Sequence, residues 1–136
     1  MSSEIVTRWP IRLTLALDPT DRDEEGQLTD AGISRLFGVA RAAYFARCTT
    51  FDGAAGEIGP LSVERREARA TGARVTISAG VTEVFPDSFT MAARIRPAEG
   101  GGVAADARCS VSIATGVTDA TRDELIALAH GASHLH

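Results

Sequence analysis

The chain has no lysine, only two cysteines and three histidines, and no apolar run of membrane-spanning length. Each shortage removes a class of chemistry. A bilayer-crossing helix needs about 20 consecutive apolar residues, and the opening MSSEIVTRWP lacks the apolar stretch of a secretory signal, so the expectation is a cytoplasmic protein. Cys48 and Cys109 stand far apart inside apolar segments, without metal-ligand spacing, and read as two buried thiols in a reducing compartment. All 14 cationic residues are arginine, yet the net charge is -4. A general nucleic-acid binder needs a basic stripe to neutralise phosphates, so nucleic acid is not an expected partner. His130, His134 and His136 crowd the C-terminal end, where fraying is the expected setting and no regular metal-ligand array is formed.

What is present is a soluble globular balance, 44% apolar and 24% charged over 136 residues. That length suits one domain, residues 1–136, with a single core. Trp9, Ile11, Leu13, Leu15 and Leu17 recur at every second position and predict a half-buried strand, with Pro10 placing its start at a sheet edge or bulge. The acidic stretch DRDEEG follows. A helix then begins near Thr29 or Asp30, either of which can cap its first turn, and runs to about Cys48. Ile33, Leu36, Phe37, Ala40, Tyr44 and Cys48 recur at steps of three and four, and Val39 and Ala43 widen the apolar surface, so most sides should be buried. Gly32 and Gly38 each cost such a helix about 1 kcal/mol relative to alanine, a loss that close approach to a sheet would explain.

TTFDGAAGEIGP reads as a loop. After Pro60 come four strand-like runs joined by short turns at TGAR, PDS and AEGGG. Three alternate cleanly: Val75 to Val81, Phe89 to Ile95, and Val103 to Ile113. The first, LSVERREARA, is charged on both faces and suits an exposed strand or one that meets a partner. TRDELIALAHG offers Thr121 and Glu124 as a capping box and Gly131 as a stop, predicting a short terminal helix over residues 121–131. The order is α+β, a curved antiparallel sheet of about five strands wrapped around one long central helix.

Asp21, Asp23, Gly26, Gln27, Leu28, Thr29, Asp30, Ala31, Ile33 and Arg41 fall without a gap into a pattern of roughly D-x-D-x-x-G-h-v-n-N-a-x-y followed by an Arg. In this the chain resembles the hotdog-fold thioesterases of the 4-hydroxybenzoyl-CoA type, over a core of about residues 8–116, and the element order resembles theirs as well. The resemblance implies hydrolysis of acyl-CoA or acyl-carrier-protein thioesters without a metal or other cofactor. It makes Asp23 the nucleophile or general base and places the oxyanion-binding N–H at Asp30, the first turn of the central helix. Helix-terminal N–H groups and the positive end of the helix dipole favour that chemistry on physical grounds as well. Enclosed between apolar walls, such a carboxylate would be tuned upward by desolvation.

Alone, the Asp23–Glu25 turn reads most simply as a solvated acidic loop, and the gap-free register through Arg41 together with the element order is what favours a site. Gln27 and Thr29 are candidates for orienting water or the acyl group, with helix capping the competing role for Thr29. Arg65 and Arg66, with Arg69 and Arg74, are candidates for the phosphates of coenzyme A or a phosphopantetheine arm. Arg41 reads as a structural partner for a loop carboxylate such as Asp21. A related branch carries a catalytic Glu where this chain has Gly38, which excludes that version of the mechanism. A non-catalytic acyl-thioester binder or structural hotdog subunit is the competing class. A dehydratase of the same fold would want a histidine paired with an acid, and the histidines all lie at the far end. An uncovered sheet edge predicts a homodimer, or a dimer of dimers, with the acyl pocket at the subunit interface.

Overall fold

A computed structural model describes residues 3–4, 9–52, 56–70 and 72–129. Alternating residues build the sheet. In β2 (Ile11–Ala16) Ile11 is buried while Arg12 and Thr14 face solvent. The strand starts at Ile11, later than the apolar alternation alone suggests, because Pro10 has no N–H to donate and Trp9 adopts a left-handed φ of 53°. The strands β5 (Arg74–Val84), β6 (Ser88–Pro97) and β7 (Ala105–Ile113) form an antiparallel meander, with Val75, Ile77, Ala79 and Val81 of β5 turned into the core. The bend between β5 and β6 is closed by the Phe85 N–H donating to Ser88 at 2.7 Å.

Along the outer flank of β5 lie β2 and the two-residue β1 (Ser3–Glu4); along that of β7 lie β4 (Ser62–Arg65) and β3 (Gly56–Ile58). Among the described residues seven strand segments therefore occupy five positions across one curved antiparallel sheet. The strand β3 corrects the expectation of a loop there. Its three residues are too few to show alternation, and they become a strand by pairing with Val111 to Ile113 of β7.

The central helix α1 (Asp30–Arg47) lies in the curve of that sheet. Its cap is Thr29, whose hydroxyl accepts the Gly32 N–H at 3.0 Å. Ile33, Leu36, Phe37, Ala40 and Tyr44 are fully buried, as their spacing predicts. Each large apolar side chain so buried stabilises the fold by about 1.5–3 kcal/mol. The Tyr44 hydroxyl is buried without a hydrogen-bond partner among the described residues, and burial drives its ionisation far above the ordinary phenol range.

The two helical glycines separate. A Cβ on Gly32 would meet the Asp21 backbone, 2.6 Å from its Cα, so the close approach is to the short 3-10 turn Pro19–Asp21 and not to the sheet. Among the described residues Gly38 faces only the Arg41 guanidinium, 3.8 Å from where a Cβ would stand.

The terminal helix α2 (Asp119–Ala129) begins earlier than Thr121. Thr118 is the capping hydroxyl, accepting the Thr121 N–H at 3.1 Å, and Thr121 instead donates to the Thr50 carbonyl at 3.1 Å. Glu124 does not close a capping box. Its carboxylate accepts the N–H groups of Thr49 and Thr50, at 2.8 and 3.0 Å, and both of their hydroxyls, tying α2 to the chain leaving α1. Gly131 and the three histidines lie outside the described residues. Both cysteines are free; Cys109 is buried as expected, whereas Cys48 is only half-buried, and burial pushes the Cys48 thiol up to about 12. No described helix is long and apolar enough to cross a membrane.

Candidate active site

The acidic stretch before α1 is held from both sides. Asp21 is only 2% exposed, and its carboxylate accepts the Asp18 N–H at 2.6 Å and a forked pair of donors from Arg35. The Arg35 hydrogen bond, against the opposing effect of burial, holds the Asp21 carboxyl below the usual carboxylate range. Arg35, one helical turn into α1, thus takes the role expected of Arg41. Backbone bonding reinforces the anchor, the Thr29 N–H donating to the Asp21 carbonyl at 2.9 Å.

Between these anchors residues 23–27 form a tight turn. The Asp23 N–H donates to the Gln27 carbonyl and the Gly26 N–H to the Asp23 carbonyl, with Gly26 at φ 82°, a conformation that glycine adopts without strain. Asp23 Oδ1 accepts the N–H groups of Glu25 and Gln27, each at 2.9 Å. This aims the carboxylate and leaves Oδ2 with no partner among the described residues. The side chain is exposed in the single chain, so the apolar enclosure expected of it is not built by this chain alone. The Gln27 side chain is half-buried and likewise forms no hydrogen bond among the described residues. Arg22 fastens the turn to the opposite segment by donating to the carbonyls of Ala70 and Gly72, and the Ala70 N–H returns a bond to Gly26 at 2.9 Å.

At the start of α1 Thr29 is fully engaged as a cap, its hydroxyl also donating to the Thr20 carbonyl at 3.0 Å. The backbone N–H groups of Asp30 and Ala31 form no hydrogen bond among the described residues. They are the unpaired donors a helix start provides, carrying the positive end of its dipole. The Asp30 carboxylate would oppose a developing oxyanion if it turned inward, but it is 84% exposed and ion-paired with Arg65. Arg65 also donates to the Leu28 carbonyl at 3.0 Å, which docks β4 against the helix start. Asp30, Ser34, Leu61, Val63 and Arg65 line a cleft of about 440 Å³ between them.

Arg66 does not join Arg65. Strand alternation turns it to the opposite face, where it meets Asp106 at 2.6 Å and Glu64 at 3.5 Å, while Arg94 meets Asp106 at 2.9 Å. Arg69 and Arg74 are exposed. Among the described residues no group of histidine, cysteine, aspartate and glutamate is placed to hold a metal ion.

Three carboxylates tie stability to pH. Asp21 is lowered by Arg35; burial would raise Asp106 and Glu124, but arginine contacts from Arg94 and Arg66 in the first case, and the Thr50 and Thr49 donors in the second, outweigh it. A carboxyl depressed in the folded state stabilises above its unfolded value, about 4, and that contribution is lost as pH falls through the folded value. Melting temperature should therefore hold down to about pH 5 and drop below about pH 4. Asp21→Asn should flatten part of that drop. A melting temperature independent of pH down to about 3 would contradict the assignment.

No family model and no curated protein matches the chain. Solved structures do. A thioesterase from Thermus thermophilus, crystallised with coenzyme A and zinc, superimposes with a TM-score of 0.76 at 18% identity, covering 90% of this chain and 96% of that one. The probable thioesterase YbaW from Escherichia coli gives 0.69 at 15% identity over 87% and 98% of the two chains. A 4-hydroxybenzoyl-CoA thioesterase mutant complexed with 4-hydroxybenzoyl-CoA gives 0.67 at 12% identity over 85% and 97%. The protein has the hotdog fold. Its likeness within that fold is to thioesterases, the 4-hydroxybenzoyl-CoA enzyme among them.

Proposed function

We propose that the protein hydrolyses acyl thioesters of coenzyme A or of an acyl carrier protein, with Asp23 as base or nucleophile and the start of α1 as the oxyanion site. The observation that carries this is that a carboxylate oxygen, Asp23 Oδ2, and the N–H groups of Asp30 and Ala31 at the start of α1, seven and eight residues on, all lack a partner among the described residues. An acyl carbonyl seated on those N–H groups is polarised as negative charge grows on its oxygen. Asp23 takes a proton from water as the hydroxide adds to the carbonyl carbon; the C–S bond then breaks and the thiolate recovers the proton, leaving acid and thiol. As nucleophile, Asp23 would instead form a mixed anhydride that water opens, with the same products. Gln27, with its side-chain amide uncommitted, orients the water, and Arg65 at the cleft contacts the phosphate-bearing arm.

Asp23 is exposed in one chain, and a base needs a desolvated setting to work near neutral pH. A homodimer supplies it, a second copy covering the acidic turn and completing the pocket. Free-thiol release from a panel of acyl-CoA and acyl-carrier-protein substrates tests the reading. Saturable release supports it; saturable thermal stabilisation by the same thioesters with no thiol release would make the protein a binder.

A further inference from the structure

Among the described residues Arg41 is the arginine of α1 that bonds neither a carboxylate nor a backbone carbonyl. Arg35 is bound to Asp21 and Asp18, and Arg47 donates to the Pro10 carbonyl at 2.7 Å. Arg41 is half-buried and forms no ion pair among the described residues. Its guanidinium lies over the Phe37 ring, 5.7 Å from the centroid, and donates a hydrogen bond to the buried Cys109 sulfur, a setting that fixes its position without pairing its charge with an anion. A half-buried cation ordinarily has an anionic partner.

Its place relative to the cleft is set by helix geometry. Asp30, Ser34, Gly38 and Arg41 follow one another at steps of four, four and three and so share one face of α1, the first two lining the cleft. The guanidinium folds back over Gly38, where the missing side chain leaves it open. From the N–H groups of Asp30 and Ala31, which have no partner among the described residues, to Gly38 is a rise of about 10–12 Å along the helix. Opposite runs the apolar edge of Leu61 and Val63. The cleft's lining ends at Ser34, and an acyl chain entering at the helix start past Leu61 and Val63 and continuing along this face would meet the Arg41 cation beyond it.

We propose that Arg41 is a specificity residue for acyl groups whose far end carries a carboxylate, about 10 Å from the thioester carbonyl. The planar guanidinium pairs with a carboxylate through two parallel hydrogen bonds, and a methyl terminus there would leave the cation unpaired. The inference rests on the thioester reading above. Its test compares suberoyl-CoA with octanoyl-CoA, which have equal chain length and differ in the terminal carboxylate, using both thiol release and thermal stabilisation of the full chain.

Wild type should favour suberoyl-CoA in kcat/KM, and Arg41→Gln should shrink that ratio by about tenfold or more. Arg41→Lys, which keeps the charge and loses the fork, should fall between, and it serves as the readout if the glutamine variant does not fold. Stabilisation that discriminates the two ligands and loses discrimination on substitution, without thiol release, would uphold the role of Arg41 while ending the hydrolase reading. Thiol release with a ratio unchanged by either substitution would overturn the role of Arg41 and leave the hydrolase reading standing. Neither release nor discriminating stabilisation would overturn both.

Discussion

Asp23→Asn should fold as the wild type and lose thioester hydrolysis by about 10²–10⁴-fold in kcat, the span of a general base removed. The substitution separates structure from chemistry because the two carboxylate oxygens do different jobs. Oδ1 accepts the N–H groups of Glu25 and Gln27, and an amide oxygen in its place still accepts both, without the assistance of the charge. Oδ2, which has no partner among the described residues, becomes an NH2 group that can neither take a proton from water nor attack a carbonyl. Melting temperature should therefore change little while thiol release collapses. Residual binding of acyl-CoA should persist, since the cleft and the helix start are untouched. Wild-type rates in Asp23→Asn would remove Asp23 from the chemistry.

Gly32→Ala carries the largest structural effect. The added Cβ would stand 2.6 Å from Asp21 Cα and 2.8 Å from its carbonyl carbon, and backbone cannot swing aside as a long side chain can. Either α1 shifts or the Asp21 turn is displaced from Arg35, leaving the buried Asp21 carboxylate without its half-exposed partner. The expected loss is about 3 kcal/mol or more, with a fall of about 10 °C or more in melting temperature. Gly38→Ala is the internal control for stability. Only the Arg41 guanidinium lies near, at 3.8 Å, so alanine there should raise stability by up to about 1 kcal/mol through helix propensity. Equal melting temperatures for the two alanine variants would contradict the packing described around Asp21.

The parts of this molecule legible in its sequence are those in which local period and burial agree. Ile33, Leu36, Phe37, Ala40 and Tyr44 mark α1 at helical spacing, and all five are buried. The alternation in β5, β6 and β7 marks their inner faces in the same way. The short β3 is not legible, since three residues carry no period and their strand identity comes from β7. The start of α2 is ambiguous in sequence because Thr118 and Thr121 both suit a cap, and only the fold shows that Thr121 is drawn to the Thr50 carbonyl.

The candidate site divides along the same line. The register from Asp21 to Arg41 is visible as a pattern, and it locates the turn and the helix start together. Which arginine pairs with Asp21 is not visible, because Arg35 and Arg41 both lie on α1 and only the curvature of the preceding loop brings Asp21 to Arg35. Arg65 and Arg66 group together in sequence because they are adjacent, yet adjacency in a strand puts them on opposite faces. The exposure of Asp23 is what the acidic Asp23–Glu25 turn gives when read on its own, and the apolar enclosure implied by the resemblance is absent from the single chain.

The most direct test of the account is a crystal structure of the Asp23→Asn protein with an acyl-CoA bound. The account predicts the thioester carbonyl oxygen about 3 Å from the Asp30 or Ala31 N–H, with residue 23 facing the carbonyl carbon or a water beside it. An acyl group bound away from the start of α1, with residue 23 turned to open solvent, would contradict it.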